Sequence, residues 1–181
     1  YITKTGQFKI GLLPSVYKRC IELGIKPIIV DMRQPLPKVS KVVTQIGKYK
    51  LRPEQEKAVK AILSNKLGET PFQIGVLDYT VNAGKTLIMS ALYLSYKKQL
   101  KTLLITNDSD WLNQARDEFK QYLPGEDITF VQGKVLNWSN FTIGMVQSIS
   151  RNMKYYQNEL AKIDMVLIDE ADQGGSKQYQ N

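Results

Sequence analysis

Short apolar runs recur along the second part of the chain: QIGVLDY (73–79), TLLIT (102–106), ITFV (128–131), FTIGMV (141–146) and MVLI (165–168). Each is short enough to be a strand, and the continuous apolar character predicts strands buried on both faces. Helical patterns alternate with them. One is predicted over 85–98, and a second over 109–122 places Trp111, Ala115, Phe119 and Tyr122 at helical spacing before Pro124 and Gly125. Alternating strands and helices of this kind imply a parallel sheet covered on both faces, with ligands at the carboxyl ends of its strands. Upstream, LRPEQEKAVKAIL (51–63) predicts a helix with Pro53 at its first position, Glu54 and Glu56 near its start, and Ala58, Val59, Ile62 and Leu63 as its buried stripe.

The first residues read differently. GQFKI (6–10) alternates like a short strand, and Pro14 opens a helix with Val16, Tyr17, Cys20 and Ile21 on one side, stopped by Gly24. KPIIVD (26–31) reads as a second strand, and Pro35 and Pro37 mark a linker. The expected organisation is α/β throughout. A small accessory unit and linker occupy 1–46, and a larger lobe occupies 47–181.

Charge sharpens that division. Residues 1–50 hold ten Lys and Arg against Glu22 and Asp31, whereas residues 51–181 hold 15 of each sign, so the net +8 of the chain lies in its first quarter. A basic appendage on a neutral body suits a polyanion, with Lys9, Lys18 and Arg19 as candidate contacts. A solvated basic surface without a partner is the other reading. Cys20 is the sole cysteine and histidine is absent, which excludes a disulfide framework and argues against a zinc site. No apolar run reaches the roughly 18 residues of a membrane span, and no signal-peptide core is visible, so the expectation is a cytoplasmic protein without a membrane partner. The chain opens on Tyr1, which points to a piece of something larger.

Chemistry concentrates in two places. TVNAGKT (80–86) lies after a predicted strand and before a predicted helix, where Thr80, Val81, Asn82, Ala83 and Gly84 can turn their backbone N–H groups towards a polyphosphate. Lys85 would reach the β- and γ-phosphates and the Thr86 hydroxyl would ligand Mg²⁺. Tyr79 stands where this type of loop usually begins with Gly, but that position contributes no atom to the phosphate. Downstream, MVLIDEAD (165–172) ends a strand in a carboxylate pair. Asp169 can hold Mg²⁺ through water, and Glu170 can orient and deprotonate the attacking water. ATP and Mg²⁺ are the implied ligands, and Glu170, Asp169 and Lys85 the candidate catalytic groups.

With both halves in view, residues 50–175 resemble the first RecA-like lobe of a superfamily 2 helicase of the DEAD/DEAH-like kind. LRPEQ corresponds to the adenine-reading element, VNAGKT to motif I, LLITNDSDWLNQ to motif Ia, TIGMVQS to motif Ic and DEAD to motif II. The resemblance implies a RecA-like P-loop NTPase sheet. TGQFKIGLLPSVYKRCIELGIKPIIVD is similar to the accessory domain preceding the motor in UvsW-type phage helicases, which implies a bacterial or phage-infected host cytoplasm. By resemblance, Gln55 with Arg52 would bind the adenine edge, since an amide offers both donor and acceptor. Thr106 and the helix start at Ser109 would meet a strand phosphate, although Asp108 and Asp110 oppose this. Gln147 and Ser148 would do the same from motif Ic, where Met145 replaces the hydroxyl often found there.

The activity so implied is ATP hydrolysis coupled to movement along, or unwinding of, single-stranded or branched DNA, with DNA ahead of RNA. A P-loop ATPase acting on a protein partner and an RNA helicase are the alternatives. Nine residues follow Asp172, so motif III and a second lobe with its arginines are missing from this stretch, which should hydrolyse ATP hardly at all.

Overall fold

The computed structural model describes residues 6–32, 37–39, 41–72, 74–78, 83–96, 98–107, 109–131, 135 and 138–169, with the side chains of Ser109 and Asp110 outside that description. In chain order the elements are α1 (Leu13–Glu22), β1 (Gln45–Ile46), β2 (Tyr49–Lys50), α2 (Pro53–Ser64), β3 (Lys66–Leu67) and β4 (Thr70–Pro71). They continue with α3 (Lys85–Ser95), β5 (Thr102–Thr106), α4 (Ser109–Tyr122), β6 (Ile128–Val131), β7 (Phe141–Met145), α5 (Val146–Arg151), α6 (Met153–Leu160) and β8 (Met165–Ile168). The chain divides into two compact units, Tyr1–Leu36 with Lys60–Val76 and Pro37–Val59 with Leu77–Asn181.

In the first unit Pro14 sits in the opening turn of α1, where its missing N–H costs nothing. Gly24, at φ +73°, follows its end. Val16, Tyr17 and Cys20 are half-buried, but Ile21 is exposed. The β3–β4 hairpin turns through Gly68 and Glu69, and the Tyr17 hydroxyl rests 2.8 Å from where a Cβ on Gly68 would stand. Asn65 clamps the hairpin ends, its N–H partner being mutual: Phe72 N donates to Asn65 O at 2.9 Å, and Asn65 Nδ2 donates to Phe72 O at 2.5 Å.

Neither strand expected in the basic segment forms. Residues 7–9 of GQFKI join no ladder, and Ile10–Leu12 wind into a 3₁₀ turn leading into α1. KPIIVD likewise joins no ladder, with Ile28 88% and Val30 73% exposed. Alternation and β-branching make a segment competent to pair, but a strand exists only where a neighbour offers its backbone groups.

The second unit is built on a parallel sheet of order β6-β7-β5-β8. Because successive side chains of a strand point to opposite faces, β5 divides its apolar residues between two cores. Leu104 joins Phe141 and Ile143 of β7 against Tyr93 of α3 and Leu112, Ala115 and Phe119 of α4. Leu103 joins Val131 against Ile149 of α5, Tyr156 of α6 and Trp138. Helices thus cover both faces, as expected. Gly144 of β7 permits the close approach of α5, for a Cβ there would stand 2.9 Å from Ile149 Cδ1. A hairpin, β1–β2, precedes α2. Its Tyr49 ring meets Tyr122 of α4 edge-on at 5.0 Å, and Val43 N donates to Ser95 Oγ of α3 at 2.9 Å.

QIGVLDY is the third strand expected, and its described residues do not form one. Ile74–Asp78 join no ladder, and Val76 is 81% exposed; Gln73 and Tyr79 lie outside the described residues. Helix α3 also stops at Ser95, before the expected residue 98, and Lys98 adopts φ +61°, which cannot continue a right-handed helix.

Candidate functional site

The carboxyl end of β8 and the start of α3 carry the two expected half-sites, and the second unit brings them together. Asp169 extends the β8 ladder by one bond, its N–H donating to Ile105 O of β5 at 3.0 Å. That places its carboxylate, only 4% exposed, at the edge of the sheet. Lys85, the first residue of α3, reaches it, with Nζ 3.3 Å from Oδ1. A buried carboxylate is costly unless a cation or hydrogen-bond donor faces it, so this pair compensates Asp169 and at the same time holds the Lys85 ammonium at the carboxyl end of β8.

Gly84 caps α3 from a left-handed conformation, φ 80° and ψ 40°, and its carbonyl accepts from Leu87 N and Ile88 N at 3.1 and 3.2 Å. The chain can then enter the helix with its first N–H groups unused by side chains, since no side-chain cap is present. Thr86 is buried in the first turn, and its carbonyl accepts from Ser90 Oγ at 2.9 Å. Thr80, Val81, Asn82 and Glu170 lie outside the described residues.

Gln55 and Arg52 are drawn to the same loop. Gln55 is 3% exposed; its Oε1 accepts from Arg52 N at 2.9 Å and its Nε2 donates to Ala83 O at 2.8 Å. The first of these bonds satisfies an orphan donor at the start of α2, as a residue three positions into a helix can. Arg52 Nη2 donates to the same Ala83 carbonyl at 2.6 Å, while its Nε meets Glu54 Oε1 at 3.1 Å. The Ala83 carbonyl is thus an acceptor for two side chains of the Arg52–Gln55 stretch. An Arg-x-x-Gln start to a helix signals the local bond, but nothing in it signals a carbonyl 28 residues away.

Asp169 and Thr86 supply a carboxylate and a hydroxyl, hard oxygen donors of the kind Mg²⁺ takes when phosphate and water complete its shell. The buried, cation-compensated carboxylate beside the loop fits such an ion. Among the described residues no cluster of three or more His, Cys, Asp or Glu forms a self-sufficient metal site.

The strand-contact candidates are divided. Thr106 is fully buried in β5 and does not present its hydroxyl to solvent. Ser109 begins α4. Gln147 and Ser148 lie half-buried on α5, with Gln147 Nε2 donating to Asn107 O at 3.4 Å and Ser148 O accepting from Asn152 Nδ2 at 2.8 Å. Lys9, Lys18 and Arg19 are exposed in the first unit, Arg19 pairing with Glu22 at 3.1 Å.

Residues 48–181 match the family model described as "Type III restriction enzyme, res subunit". The chain belongs to the res-subunit family. It is also similar, at 27% identity over 130 residues, to a protein of Acanthamoeba polyphaga mimivirus named "Putative ATP-dependent RNA helicase L396". That alignment takes in 71% of this chain and 24% of the viral protein, so this res-subunit family member spans about a quarter of the length of that relative. Both half-sites lie inside the family match, and α1 lies before it. Among the described residues no helix is long and apolar enough to cross a membrane.

Proposed function

We propose that this res-subunit family member is the ATP-binding lobe of a helicase or translocase that uses ATP hydrolysis to move on nucleic acid. The observation that supports it best is the Lys85–Asp169 pair at 3.3 Å, which joins two motifs 84 residues apart. In this reading Lys85 neutralises the β- and γ-phosphates, and Thr86 and Asp169 would hold Mg²⁺. When bound, the ion screens charge developing on the transferred phosphoryl group. Glu170 would position and deprotonate water, and Gln55 with Arg52 would serve the adenine edge from beside Ala83. The first 46 residues act as a basic nucleic-acid-binding accessory segment, and Gln147, Ser148 and the start of α4 at Ser109 contact strand phosphates.

The direct test is nucleotide binding by Lys85→Ala. A loss of at least tenfold in ATP·Mg²⁺ affinity, with the fold retained by circular dichroism, is expected. Parent-like affinity would remove the phosphate-loop assignment. DNA is the substrate we favour, and the name of the viral relative favours RNA as the second reading. Competition between DNA and RNA strands of equal length and sequence separates the two, because contacts to the 2′-hydroxyl distinguish them.

A further inference from the structure

Helices α5 and α6 meet at a corner that no motif covers. Beside it lies a depression of about 390 Å³, open to solvent, lined by Arg151, Lys154 and Tyr155 among others. Tyr155 is 42% exposed, yet its ring is seated edge-on against Tyr156 at 5.5 Å. Tyr156 is fully buried and packs on Trp138 at 5.1 Å, so an aromatic chain runs from the core to the surface and holds the outermost ring in place. Arg151 and Lys154 are both exposed, and among the described residues neither makes an ion pair. The last turn of α5 and the first turn of α6 share Asn152, so their opposite end charges offset and the positive charge here is that of Arg151 and Lys154. Asn152 stands at the capping position but spends its side chain on Ser148 O, leaving the helix without a side-chain cap.

We propose that this corner is a binding site for single-stranded nucleic acid, in which a base stacks on Tyr155 and neighbouring phosphates lie against Arg151 and Lys154. A fixed aromatic face flanked by unpaired cations is the arrangement that recognises a strand without reading its sequence. The corner is continuous with the strand-contact candidates. Arg151 stands four residues after Gln147 and three after Ser148 on α5, and such spacings share one helix face. Helix α5 is six residues, about 9 Å, and it starts directly at the carboxyl end of β7. The inference rests on the helicase reading for the class of partner.

The test uses the 181-residue chain and fluorescein-labelled oligothymidylate of 20 nucleotides, with anisotropy titrations between 50 and 200 mM NaCl and ATP affinity measured alongside. Tyr155→Ala should weaken strand binding about 5- to 150-fold, the range that the stacking of one base covers. Tyr155→Phe, which keeps the ring, should stay within about twofold of the parent. The double variant Arg151→Gln/Lys154→Gln should lower the magnitude of the salt slope by about 1.4, roughly 0.7 for each lost phosphate contact. ATP affinity should not change in any of them. Parent affinity and slope in both Tyr155→Ala and the double variant would overturn the site while leaving the helicase reading standing. Equal loss in Tyr155→Phe and Tyr155→Ala would overturn the stacking role. A parent chain that binds no strand at all would overturn both the site and the helicase reading.

Discussion

Gly84 shows how much one residue can decide. Its backbone is left-handed, and the Gln55 amide nitrogen occupies the space that a Cβ would need. Gly84→Ala therefore carries a conformational cost of about 1–2 kcal/mol and also displaces Gln55 from Ala83. A lower melting temperature together with at least tenfold weaker ATP binding is the expected outcome, and parent-like values for both would show the loop to be free of Gln55. Lys85 has a structural side as well. A solvent-facing loop lysine would be dispensable for folding, but this one faces the buried Asp169. Lys85→Ala should cost about 1–3 kcal/mol by leaving that carboxylate uncompensated. Adding Asp169→Asn should recover part of this loss without restoring nucleotide binding. Urea denaturation of the two variants checks the coupling, and equal stability in both would sink it.

Among the elements, α4 depends on Phe119, which is fully buried and packs its ring 4.9 Å from Phe141 of β7. Phe119→Ala should destabilise the second unit by about 3–5 kcal/mol, read from the denaturation midpoint. Helix α6 is tied to the start of β5 by charge. Lys101 Nζ donates to Glu159 Oε2 at 2.7 Å, Lys162 Nζ donates to Oε1 at 2.7 Å, and Lys101 N donates to Asp164 Oδ2 at 2.8 Å. The hydrogen bonds from Lys101 and then Lys162 hold the Glu159 carboxyl below its usual pKa, against the opposing effect of burial. A carboxylate whose folded pKa is depressed stabilises the fold fully above its unfolded value, near 4.3, and loses that contribution as pH falls through the lower folded value. Glu159→Gln should accordingly lower stability at pH 7 and flatten its decline below about pH 4.5, which thermal melts across pH 3–7 would show.

For the whole molecule the separation of charge matters more than its total. The net +8 sits in residues 1–50, and the nucleotide half-sites lie in the balanced remainder. Replacing Lys18 and Arg19 by Gln should reduce the magnitude of the salt slope for DNA binding by about 1.4–1.8, since each phosphate contact contributes about 0.7–0.9. ATP affinity should stay at the parent value, because neither residue belongs to the nucleotide motifs. An unchanged slope would mean that this segment is a solvated surface.

Whatever rests on local pattern can be read from the chain alone. The runs 102–106, 128–131 and 165–168 became β5, β6 and β8 with the expected bounds, and 109–122 became α4, because continuous apolar strands and a helical stripe each have one way to bury their side chains. The small hairpins, α5 and α6 have no legible signal in the sequence. Gly-Lys and Gly-Glu turns between two-residue strands, and an eight-residue helix, carry too few periods to stand out. GQFKI, KPIIVD and QIGVLDY are equally legible as strands, yet their described residues join no ladder, since pairing depends on what lies alongside and not on the segment. Of the site, Lys85, Thr86 and Asp169 are legible from spacing, but the meeting of a buried carboxylate with the loop lysine comes from the folded chain. Folding also turns Gln55 and Arg52 onto the Ala83 carbonyl and seals Thr106 inside the sheet. Hydrogen-bond partners and burial arise from packing across many residues, and packing is a property of the fold that no short motif contains.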